Sequence, residues 1–173
     1  MKKEFLTAEA ERVRVLLFKE INKETSGPWF RIKQSDIRIF GKLTRNNQFI
    51  HSNRKMASLF SPYTTLIGHA YFTLSLIPHL TQPLLPRFVL ERKKKVAILN
   101  YGFNRVRFPH PVVSSDYIRA RRMIVNIQSR SRNTLVVVQR IIIEIKGKRK
   151  PAAVAESIIL FWCSDKRALK NPA

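Results

Sequence analysis

An α+β fold, with an antiparallel sheet wrapped around one buried helix, is what this sequence predicts. Two observations carry that reading. Residues 64–80, TTLIGHAYFTLSLIPHL, are apolar nearly all round, and such a segment must be buried yet is too short to cross a bilayer. After the PLLP break come four β-rich stretches at 96–108, 116–128, 134–146 and 152–162, joined by FPHPVVSS, SRSRN and GKRKP linkers with turn chemistry.

Ahead of them, AEAERVRVLLFKEINKE offers a helix capped by Thr7, with Val13, Leu16, Leu17 and Ile21 on one stripe and SGP at 26–28 to end it. SDIRIFGKL offers a second, capped by Ser35 or Asp36, in which Ile37, Phe40 and Leu43 recur at helical spacing. The organisation is a helical extension at 1–27, a domain at 28–163 and a basic tail at 164–173.

The 173 residues, 45% hydrophobic, are enough for a real core. A single cysteine, Cys163, excludes a disulfide framework and a cysteine-rich zinc site. His79 and His110 have no ligand spacing, so neither a metal nor a cofactor is expected. The first helix mixes Glu with Arg and Lys on its polar face, a poor design for a membrane anchor.

Charge is the most unusual property. Thirty-three Lys and Arg against 11 Asp and Glu give a net +22, and self-repulsion on that scale is relieved by a polyanion. The excess lies in residues 37–173, and the clusters fall on turns: Arg92, Lys93, Lys94 and Lys95; Arg130 and Arg132; Lys146, Lys148, Arg149 and Lys150; with Arg45, Arg54 and Lys55 near a histidine-bearing loop. Basic loops on a rigid body engage phosphates without reading sequence.

Three segments carry a family resemblance. WFRIKQSDIRIFGKLTRNNQFIHSNRKMA, SPYTTLIGHAYFTLSL and NYGFNRVRFPHPV resemble, in order and spacing, the MaoC-like hydratases of the hotdog fold, and in particular their NodN-like branch, over about residues 28–160. The resemblance implies a central helix in a long antiparallel sheet, edge-to-edge dimers, and acyl thioesters bound at the dimer seam. It also implies an Asp and a His, five residues apart, that activate water for addition to an enoyl thioester.

His51 stands at the family's His, and Asn46 where the Asp belongs. An amide cannot accept a proton near neutral pH, and no Asp or Glu occurs between Ile37 and Leu90. The family's next acidic position is Asn53, its paired glycines are Thr64 and Thr65, and the glycine after its second histidine is Ala70, whose backbone N–H remains available as an oxyanion donor. His69 reads as a hydrogen-bonded core residue.

Loss of the base together with gain of charge points to a non-catalytic hotdog protein that binds structural RNA in a ribonucleoprotein. A mitochondrial ribosome is favoured over a bacterial cytoplasm, with ribosomal RNA, neighbouring proteins and a hotdog homo- or heterodimer as partners. The alternative is an (R)-specific enoyl-CoA hydratase or dehydratase acting on acyl thioesters, with Asn46 positioning the water.

Overall fold

The computed structural model describes residues 5–87, 89 and 95–164. Arg92, Lys93, Lys94 and all but the first residue of the basic tail lie outside that set.

Helix α1 spans Ala8–Phe18, with Thr7 as its N-cap and the Thr7 hydroxyl accepting from the Ala10 N–H. It stops before SGP because Glu24–Ser26 is taken up as strand β1, which pairs antiparallel with residues 121–123. Strand β2, Phe30–Arg31, pairs farther along the same partner. Helix α2, Gln34–Thr44, starts two or three residues earlier than its Ser/Asp pair suggests: Lys33 is the N-cap, with no side-chain cap bond among the described residues. Of its predicted stripe Ile37 is fully buried, whereas Leu43 is 78% exposed. Two short helices follow, α3 at Phe49–Ser52 and α4 at Arg54–Phe60.

The apolar segment is shorter as a helix than its composition suggests. Residues 64–69 are not helical; the helix begins at Ala70 and runs as α5, Ala70–Ser75, and α6, Ile77–Thr81, followed by a 3-10 turn at Gln82–Leu84. Thr64 has a φ of 54°, and Ile67 forms an antiparallel bridge with Val113. The Ile67 and Gly68 N–H groups donate to Ile50 and Val112 carbonyls. Those long-range bonds satisfy the buried backbone in extended form, so a further helical turn gains nothing. One side of α5–α6 is buried through Phe72, Thr73, Ile77 and Leu80, while Tyr71 is 70% exposed, so the helix is covered on one side rather than all round.

The four long strands fall where the sequence places them: β3 Val96–Arg107, β4 Tyr117–Ser131, β5 Thr134–Ile145 and β6 Ala153–Cys163. The sheet order is β1-β4-β5-β6-β3, with β2 also on β4 and every strand pairing antiparallel. On β5 and β6 burial alternates residue by residue, the period-2 signature of a sheet with one packed face.

That face carries two apolar clusters. Phe72, Ile77 and Leu80 pack on Ile118, Ala120, Ile141, Ile143 and Ala155. Ala10, Val13 and Leu17 of α1 pack on Ile124, Leu135, Val137 and Phe161. This is the hotdog arrangement, and α1 supplies part of its core.

Candidate active site

The N-terminal segment of the central helix meets α3 at a pair of stacked histidines. His51 is carried by α3 and His69 is the N-cap residue of α5; their ring centroids lie 3.7 Å apart at 30°. Both are buried, at 8% and 3% exposure.

The backbone fixes their tautomers. His51 Nδ1 lies 2.8 Å from the Ile67 carbonyl, and because a carbonyl only accepts, Nδ1 carries the hydrogen and the lone pair falls to Nε2. His69 Nε2 lies 3.1 Å from the Asn46 carbonyl, so it donates there, and its buried Nδ1 has no hydrogen-bond partner among the described residues. Burial pushes the His51 pKa below the ordinary 6.5; the Ile67 bond opposes this and the neighbouring His69 adds to it. His51 is therefore held neutral, as an imidazole with a basic Nε2.

Asn46 is positioned by a helix end. Arg45 closes α2 in the left-handed region with φ 56°, and the Asn46 N–H donates to the Gly41 carbonyl at 3.0 Å. Gly41 is required for the approach, since a Cβ there would lie 3.0 Å from the Asn46 carbonyl oxygen and 3.1 Å from the His69 ring. The predicted pair Asn46 and His51 thus lines one cavity of about 370 Å³, with Tyr63, His69, Ala70 and Phe108 among its other walls.

His69 is the hydrogen-bonded, buried residue the sequence suggests; what the sequence does not signal is its place just before the helix, stacked on His51, which follows from residues 64–69 being non-helical.

The basic clusters do not form one surface. Arg130 and Arg132 lie at the β4–β5 turn, and Lys146, Lys148, Arg149 and Lys150 at the β5–β6 turn, at opposite ends of the twelve-residue β5, a separation on the order of 40 Å. Several are engaged within the chain. Lys148 pairs with Asp116 at 3.0 Å, the Arg130 guanidinium lies 4.6 Å from the Tyr101 ring centre, and Lys146 lies 5.7 Å from that of Tyr117. Lys95, Arg149 and Lys150 are exposed. Arg45, Arg54 and Lys55 flank the histidine cleft in sequence and are also exposed.

Residues 18–145 match the MaoC like domain family. The chain belongs to that family. Over 133 residues it is 34% identical to the 3-hydroxyacyl-thioester dehydratase Z of Mycobacterium tuberculosis, covering 77% of this chain and 84% of that one. It is 31% identical over 132 residues to the nodulation protein N of Rhizobium leguminosarum bv. viciae, covering 76% and 80%. Among solved structures, the M. tuberculosis HadBC complex, a 3R-hydroxyacyl-ACP dehydratase, matches with a TM-score of 0.63 at 17% identity, covering 80% of this MaoC-like chain and 96% of that one.

These relatives overturn the reading as an RNA-binding ribosomal protein without activity. The argument from charge fails because net charge speaks to association in general and not to one polyanion, while the family match at 18–145 spans the cleft residues and a 34% identical relative is a named dehydratase. The non-catalytic reading falls with it, and the placement on a mitochondrial ribosome loses the reading it rested on.

Proposed function

We propose that this MaoC-like protein catalyses the reversible interconversion of 2-enoyl and 3-hydroxyacyl thioesters, with His51 as the group that moves the proton. The observation that carries the proposal is the neutral His51 with its Nδ1 hydrogen committed to Ile67, in a cleft of a chain 34% identical to a 3-hydroxyacyl-thioester dehydratase.

In the hydration direction a water held in the cleft gives one proton to His51 Nε2 while its oxygen bonds to C3 of the enoyl group. The C2–C3 double-bond electrons move toward the thioester carbonyl. The charge gathering on the carbonyl oxygen is met by the Ala70 N–H at the start of α5, the role of an oxyanion donor. The imidazolium returns its proton to C2, and His51 is neutral again. One group serving both steps works from one face of the substrate, which gives syn addition. Dehydration is the reverse.

Asn46 occupies, on this reading, the place of the family's catalytic Asp. Its amide holds the water by hydrogen bonds and leaves all proton transfer to His51. The thioester's carrier, coenzyme A or a carrier protein, is anionic, and the exposed cations Arg45, Arg54 and Lys55 flank Asn46 and His51 in sequence. A second hotdog subunit, like or unlike, is the proposed partner, in keeping with the two-component HadBC neighbour.

The test is to incubate the purified chain with a 2-enoyl-CoA and follow loss of the conjugated thioester absorbance and appearance of the 3-hydroxyacyl product. Turnover above the uncatalysed rate is expected. A chain that binds the thioester but leaves it unhydrated removes the proposal.

A further inference from the structure

A second cavity, of about 380 Å³, lies along the same helix as the histidine cleft, and its floor is polar. Thr73 of α5 lines the histidine cleft, and Ile77, four residues on, lines the second cavity. Four residues of helix advance about 6 Å. The second cavity therefore lies roughly one turn farther along the central helix.

Its floor comes from a polar row across the packed face of the sheet. On β4, β5 and β6 the apolar alternation is broken once each, in Ala120–Arg122–Ile124, Ile141–Gln139–Val137 and Ala155–Ser157–Ile159, with Arg122 opposite Ile141 and so diagonal to Gln139. In each triplet the first residue belongs to the cluster around α5–α6 and the last to the cluster around α1. Gln139 and Ser157 are directly paired across β5 and β6. Exposures of 4%, 3% and 4% for Arg122, Gln139 and Ser157 place the row deep inside.

Arg122 sets the amide. Its Nε donates to Gln139 Oε1 at 2.5 Å, and a guanidinium NH donates to the Leu84 carbonyl at 2.5 Å. A guanidinium only donates, so the amide oxygen faces Arg122 and the amide NH2 is turned from it. That NH2 and the Ser157 hydroxyl make no hydrogen bond among the described residues, and both side chains line the cavity. Ile77, Ile98 and Ile159 supply apolar walls. An occupant that covers such cavity-facing donors without offering an acceptor is penalised, so one that fits brings an oxygen to them between apolar flanks.

We infer that the cavity holds the distal part of the acyl chain and selects chains bearing a hydroxyl or keto oxygen at the level of Gln139 and Ser157. The inference rests on the thioester reading above and narrows its substrate class. A purely hydrocarbon chain fills the walls and leaves the two donors unpaired; an oxygen-bearing chain fills the walls and accepts from both. Gln139 and Ser157 are the specificity-determining residues, and Arg122 positions the first of them.

Binding of saturated acyl-CoA thioesters, which have no double bond to hydrate, separates this inference from the catalytic one. Chains of equal length are compared by calorimetry with and without one hydroxyl or keto oxygen moved stepwise along them. At one position the oxygen-bearing chain binds about three- to tenfold tighter than the plain one, the value of a hydrogen bond or two. In Ser157→Ala, a small change that keeps the fold, the ratio falls toward one; Gln139→Met lowers it independently. Each ratio is taken within a single variant, so a general loss of stability does not mimic the effect. Equal or weaker binding at every position, or a preference untouched by both variants, overturns the assignment even if the protein hydrates simple enoyl thioesters. The preference without turnover sinks the catalytic proposal and leaves the cavity assignment standing.

Discussion

His51 and His69 stack face to face with their ring centroids 3.7 Å apart, each tied by one nitrogen to a backbone carbonyl of a different loop. Burial lowers the His51 pKa and the neighbouring His69 adds to this, so the His51 Nε2 is held as a base.

That constraint has a pH signature. With its pKa lowered by burial, His51 stays neutral in the folded chain below the ordinary value of 6.5, so the rate is flat through neutrality and its acid limb falls below 6.5. In the unfolded chain the same imidazole binds its proton near 6.5. As pH drops below that value the unfolded state holds more protons, and stability declines until the folded pKa is passed. A kcat/KM profile and a series of denaturation midpoints over the same buffers measure the two effects. His51→Gln removes its share of the stability slope.

Asn46→Asp places a carboxylate in the cleft within the chain's own backbone frame. A second proton-transfer group is expected to raise the hydration rate, on the scale of about tenfold or more given that acid–base groups contribute roughly 10² to 10⁴. Steady-state hydration kinetics of wild type and variant check it.

Gly41→Ala goes against helix propensity. In an ordinary helix interior the change stabilises by about 1 kcal/mol. Here the added methyl meets the Asn46 carbonyl oxygen at 3.0 Å and the His69 ring at 3.1 Å, and overpacking costs about 1–3 kcal/mol. The variant is expected to lower the melting temperature and to cut hydration by displacing His69. Thermal denaturation and the rate assay read the two consequences.

Cys163 is fully buried in the cluster beneath α1. Burial first, and Glu9 second, push its thiol pKa up to about 11. In native protein at neutral pH it is expected to resist a thiol-reactive disulfide reagent and to react stoichiometrically once denaturant is added. Rapid native labelling would show that α1 does not hold its place on the sheet.

The long strands were legible because alternation over eleven or more residues leaves little choice of face, and Ile141, Ile143 and Ile145 all point inward as the period requires. The central helix was legible in existence but not in extent. Thr64 and Gly68 sit in an apolar run whose composition suits a helix, and only the contacts of Ile67 and Gly68 with Ile50, Val112 and Val113, distant in sequence, draw it into extended form. Asn46 and His51 were found through the resemblance to the family's motif, not from spacing alone. His69 was legible as a hydrogen-bonded core residue, but not as the stacking partner of His51, which is eighteen residues away with no local pattern to pair them. The polar row was beyond reach for a similar reason: Arg122, Gln139 and Ser157 each look like a lone polar residue in a strand until the register pairs Gln139 with Ser157 and Arg122 reaches Gln139 from the diagonal position. Charge misled most, because a count of lysines and arginines says nothing of the ion pair with Asp116 or the stacking on Tyr101.

The central claim is that His51 moves the proton in thioester hydration, and kcat for a 2-enoyl-CoA in wild type and His51→Ala, each first shown to be folded at the assay temperature, tests it most directly. A measurable wild-type kcat that falls by about 10² or more in the variant, with thioester binding retained, is the expected result. Equal turnover in a folded His51→Ala protein would contradict the claim.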